Sequence, residues 1–135
     1  MTLPPYARLL RLTIQEADGE SRWVMPFDPD VIGRPGFLHG GAIAGLLEFA
    51  AFGSLAAALG DPSVATKPIS VTVDYLRGGS DHQTFAVGTV LRLGSRIANV
   101  SAVAWQKERS APIASARINF LLERGELATP LPTKG

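Results

Sequence analysis

One acid in an otherwise uncharged stretch stands out as a group that could do chemistry. Glu48 is the only charged side chain between Arg34 and Asp61, inside the run Gly40–Leu59. That run is apolar on every face of a helix, so it reads as a buried helix. A carboxylate in such a place loses hydration and must be kept neutral or put to use. Burial is expected to raise its pKa toward neutrality, which suits a general base. The preceding segment, Gly36-Phe-Leu-His39-Gly40-Gly41, opens the helix. The first amides of a helix lack intrahelical partners and sit at the positive end of its dipole. A mid-helix acid with amide donors at the helix start is equipment for attack on a carbonyl whose oxygen gains charge.

The elements that hold these groups follow from pattern and punctuation. Ala7 to Ala17 alternates and is expected as a strand, with Asp18-Gly19-Glu20 as a tight turn and Arg22 to Phe27 as the returning partner. Asp28 to Phe37 is a loop with two Pro and two Gly. The helix should stop near Leu59-Gly60-Asp61-Pro62. Ile69 to Arg77, Thr84 to Leu93, Arg96 to Lys107 and Pro112 to Leu122 read as four strands, with a polar tail from Glu123. The order is strand, strand, long helix, four strands. A helix apolar all round needs a sheet curled about it, a partner subunit, or both. The expected fold class is α+β, a curved antiparallel sheet wrapped around one central helix, in a single domain over residues 1–135.

Composition removes several classes of function. The chain has 135 residues, 46% apolar and 19% charged, with a formal charge of +1. No basic cluster exceeds two or three residues, so a nucleic-acid partner is not expected. Without cysteine there is no disulfide, thiol nucleophile or Cys-ligated zinc, and two distant His make a metal site unexpected. The N-terminus carries no signal-peptide pattern, and a cytoplasmic location is expected. Gly40–Leu59 is long enough to span a bilayer, but Glu48 near its middle favours a core helix over a membrane span.

The stretch Gly36-Phe-Leu-His39-Gly40-Gly41, with Glu48 nine residues after His39, resembles the hotdog-fold acyl-CoA thioesterases of the phenylacetate-pathway and 4-hydroxybenzoyl-CoA type. Val73-Asp-Tyr-Leu-Arg77-Gly-Gly and Arg92-Leu-Gly-Ser-Arg96-Ile-Ala also look like that family's strand edge and following hairpin, and the likeness covers about residues 20 to 122. The resemblance implies a dimer or tetramer that binds acyl-CoA across a subunit interface and uses no cofactor. It gives Glu48 the role of catalytic carboxylate and the Gly40 amide that of polarising the thioester carbonyl. Many relatives carry Asn or Gln six residues before the His, where this chain has Gly33, and many carry a water-holding hydroxyl, for which Ser54 and Thr66 are the candidates.

Geometry points the same way. Glu48 lies eight residues beyond Gly40, about 12 Å along a helix axis. One thioester carbon cannot lie within about 3.5 Å of both groups of one helix. Two antiparallel helices across a two-fold would bring Gly40 of one chain to Glu48 of the other. Glu48 then deprotonates a water or attacks directly to give an anhydride, and the sequence leaves both routes open.

The catalytic set is Glu48, Gly40 and His39, with His39 expected chiefly to shape the helix start. Substrate contacts are expected from Gly41, Phe52, Arg34, Arg77, Ser95 and Arg96, the arginines toward CoA phosphates. Ala44, Leu47, Ala51 and Phe52 are expected to line an acyl tunnel. Two other readings are a hotdog dehydratase or hydratase, and an acyl-CoA-binding module without catalysis. The first needs a His entering from the loop, where this chain has Phe27-Asp28-Pro29; the second is favoured by Gly33 and opposed by Glu48.

Overall fold

Two prolines shape the start of the chain. In the computed structural model, which describes residues 2–124, Pro5 occupies the first turn of a short helix, α1 (Pro5–Leu9). Proline suits that position because its φ is already helical. The expected Ala7–Ala17 strand is therefore corrected to a helix followed by β1 (Thr13–Ala17). The apolar positions Ala7 and Leu10 are spaced for a helix face, and Arg11 turns the chain at a φ of 57°. Asp18 and Gly19 both take positive φ, the geometry of a two-residue hairpin turn, and β2 (Glu20–Met25) pairs back on β1.

The long helix α2 (Gly40–Leu59) has the expected bounds and ends where the Gly60 N–H donates to the Ala56 carbonyl. After it come β3 (Ala65–Tyr75), β4 (Thr84–Leu93), β5 (Ile97–Trp105) and β6 (Ala114–Glu123). The six strands form one antiparallel sheet in the order β1-β2-β4-β5-β6-β3. This is the expected hotdog architecture. Residues from 125 onward, most of the expected polar tail, lie outside the described residues.

Small side chains let the helix settle onto the sheet. Leu46, Leu47, Ala51 and Leu55 of α2 are fully buried, and Ala86, Ala98, Ala102 and Ala104 are buried on the central strands. Gly88 of β4 permits the closest approach, since a Cβ there would come within 2.5 Å of the Ala50 carbonyl oxygen.

β3 begins four residues earlier than the sequence pattern suggests and runs through Pro68. It is an edge strand, where a missing N–H is tolerated, and its register shifts between Pro68 and Ser70. Val71 and Val73 pair with the inward-facing Ile118 and Ala116, yet Val71 remains 42% exposed because α2 does not cover this strand. The alternation of β3 is real, but within one chain its apolar face is open. α2 is open along one side too: Gly41, Phe52 and Ala56 are exposed, with Ala44 and Glu48 half-buried.

Candidate active site

The loop before α2 is built to present the helix start. Asp28 accepts from the Asp30 N–H and caps a short 3-10 turn, Pro29–Val31. The Gly33 N–H donates to Phe37 O, and the His39 N–H donates to Val31 O at 2.8 Å. Leu38 N–H donates to Gly79 O, which ties the loop to the connection between β3 and β4. Gly33 packs directly on His39: a Cβ there would lie 3.1 Å from His39 Cα. The position where many relatives carry a polar side chain is thus filled by a backbone contact.

His39 caps the helix. Its backbone is extended, and its Nδ1 accepts the Gly41 N–H at 2.8 Å. The next group across is Tyr75, whose hydroxyl donates to the Gly40 carbonyl at 2.8 Å. Gly41 is therefore spoken for at its amide. The Gly40 amide makes no hydrogen bond among the described residues. Gly40 lines an open recess of about 320 Å³ with Arg34, Phe37, Tyr75 and Arg77, and the Arg34 guanidinium lies 4.7 Å from the centre of the Phe37 ring.

Glu48 is half-buried, so the expectation of a fully buried acid is corrected: the covered sides of α2 are those of Leu46 and Leu47, not this one. It lines a separate pocket of about 140 Å³ with Phe52, Thr66, Pro68 and Phe120 among its walls, and Glu48 and Thr66 are the only polar side chains there. No ion pair to Glu48 occurs among the described residues. Ser54 donates to Ala51 O and faces Gly88, so of the two hydroxyl candidates only Thr66 shares a pocket with Glu48. Leu47 and Ala51, expected in the acyl tunnel, point into the core instead.

Of the expected substrate contacts, Arg34 and Arg77 lie beside Gly40, and Phe52 lies beside Glu48. Ser95 and Arg96 do not join the Gly40 group within the chain. The Arg96 carbonyl accepts the Leu122 N–H, and Leu122 pairs with Thr66 near the start of β3, whereas Gly40 sits by Tyr75 at its end. Those points are about 30 Å apart along the strand. Tyr75 is the contact that sequence reasoning missed; its place just before Gly78-Gly79 was the available signal. Among the described residues no group of three or more His, Cys, Asp or Glu could hold a metal ion.

Residues 29–121 match the family model of the acyl-CoA thioesterase N-terminal domain, and the chain belongs to that family. It is a thioester hydrolase by class. A Chromobacterium violaceum protein of solved structure is 36% identical, with 88% of this chain and 83% of that chain covered at a TM-score of 0.70. A Bacillus halodurans protein solved with CoA is 20% identical, covering 91% of this chain and 81% of that one at a TM-score of 0.81. A phenylacetic acid degradation-related protein from Ralstonia eutropha is 18% identical, covering 90% and 92% at 0.76. Among curated proteins no match is found.

Proposed function

We propose that the protein hydrolyses an acyl-CoA thioester as a homodimer, or a dimer of dimers, at sites shared between two chains. The observation that carries this reading is the separation of the two reactive groups. The Gly40 amide and the Glu48 carboxylate belong to one helix, line different pockets, and are about 12 Å apart along it. Neither pocket alone can polarise and attack the same carbonyl. The open face of β3, with Ile69, Val71 and Tyr75 exposed on an edge strand and Leu76 exposed just beyond it, supports a second copy as the covering partner.

In this reading the Gly40 amide of one chain donates to the thioester carbonyl oxygen. Glu48 of the other removes a proton from a water as that water attacks the carbonyl carbon. The C–S bond breaks, and the departing sulfur takes the proton from Glu48. Thr66, the other polar group in the pocket, holds the attacking water, which favours the general-base route over an anhydride. Arg34 and Arg77 flank the bound thioester, and Ser95 and Arg96 of the second chain reach the CoA phosphates. The route uses no metal or organic cofactor.

The test is free-thiol release from acetyl- to lauroyl-CoA, benzoyl-CoA and phenylacetyl-CoA by wild type and Glu48→Gln. Loss of about 10²–10⁴-fold in the variant is expected. CoA esters that bind to wild type without turnover would replace this reading with that of a binding module.

A further inference from the structure

The Glu48 pocket continues past Phe52. Phe52 and Thr66 also line a second and larger cavity of about 430 Å³, walled further by Ala56, Leu59, Val64 and Ala65. Glu48, Phe52, Ala56 and Leu59 follow one another at steps of four, four and three residues, so they lie along one side of α2. Phe52 is the common wall, and it is 38% exposed. The second cavity has two residues with polar side chains, the shared Thr66 and Asp61. The Asp61 Oδ1 accepts the Ser63 N–H and hydroxyl, at 2.9 and 2.7 Å.

Length sets what this space can hold. Phe52 lies about 6 Å beyond Glu48 along the axis and Leu59 about 16 Å beyond it. An extended chain advances about 1.2 Å per single bond, so these distances correspond to roughly 5 and 13 bonds. A benzoyl or butyryl group stops at Phe52 and leaves the second cavity unfilled. A longer unbranched alkyl chain passes Phe52 and buries its methylenes against Ala56, Leu59 and Val64. We propose that the second cavity is the chamber for the acyl tail, that the substrate is a CoA thioester of an unbranched aliphatic acid of about eight to twelve carbons, and that Phe52 and Ala56 set its length. This rests on the thioesterase reading above, and continuity with the Glu48 pocket identifies the occupant.

The experiment measures kcat/KM from acetyl- to lauroyl-CoA for wild type, Phe52→Ala, Ala56→Trp and Ala65→Trp, with circular dichroism to verify folding. Wild-type kcat/KM should climb beyond hexanoyl by up to about fourfold per added methylene. Filling the chamber from the helix with Ala56→Trp, or from β3 with Ala65→Trp, should lower the lauroyl-to-butyryl ratio at least tenfold, and Phe52→Ala should raise it. A wild-type profile that is flat or falls beyond butyryl overturns the chamber, as does a ratio within twofold of wild type in both tryptophan variants. In those cases thioester hydrolysis itself stands. If wild type hydrolyses no acyl-CoA, both readings fall.

Discussion

At the start of α2, His39 and Tyr75 claim the neighbouring polar groups and leave one amide uncommitted. His39 Nδ1 takes the Gly41 N–H, and the Tyr75 hydroxyl takes the Gly40 carbonyl, while the Gly40 N–H makes no hydrogen bond among the described residues and Gly40 lines the recess. This amide can be removed with little other disturbance. Proline is favoured at the first helical position, and His39, at φ −69° and ψ 133°, already has the extended backbone that precedes proline. A Cβ at Gly40 would stand 3.4 Å from the Tyr75 ring, an ordinary contact. Gly40→Pro therefore deletes the donor and keeps the helix. In the other pocket, Thr66→Val should lower kcat about tenfold or more with KM little changed, and Thr66→Ser should restore it. Equal kcat in all three would take the hydroxyl out of the reaction. The acid, the amide and their spacing were legible in the sequence because Glu48 stands alone in an apolar run. Thr66 could be named only alongside Ser54 as a hydroxyl candidate, and the Tyr75 contact was not legible, since both depend on where β3 runs relative to α2.

Among the elements, β2 is fastened to the turn between β5 and β6 by a cluster around Glu20. Arg109 donates to Glu20 at 2.6 Å and Arg22 at 3.0 Å, and both guanidinium groups approach the Trp105 ring. The hydrogen bond from Arg109, aided by Arg22 and opposed by burial, holds the Glu20 carboxyl below its ordinary value of 4.5. A folded-state value below the unfolded one stabilises the fold above that range, and the benefit is lost as pH falls through the folded value. Glu20→Gln should thus lower the Tm by about 2–5 °C at pH 7, with the difference from wild type vanishing in acid below the carboxylate range. A difference that does not change with pH would rule out the charge as its cause. Most elements could be read from pattern: β4 and α2 have the expected bounds, and β5 and β6 differ by one or two residues at each end. The α1 segment could not, because Leu10, Leu12 and Ile14 fit a short alternation, and the helical turn shows only when Tyr6 and Leu10 are seen against Gly45.

At the scale of the molecule, the same face is open on two elements. α2 exposes the side that carries Glu48 and Phe52, and β3 exposes the inward-facing residues of an edge strand. A helix apolar on every side predicted more cover than one chain provides, and the shortfall is what a second copy would supply. Sequence alone named the candidate acid and amide but could not say which stretches of sheet leave the helix uncovered, since that depends on strand order. Shared sites give a direct test by mixing subunits. Gly40→Pro and Glu48→Gln should each be inactive alone. Mixed by unfolding together and refolding, half of the dimers pair the two variants, and each such dimer regains one intact site from the Gly40 of one chain and the Glu48 of the other. The mixture should recover about a quarter of wild-type thiol release. A mixture no more active than its parents would contradict a site shared between chains.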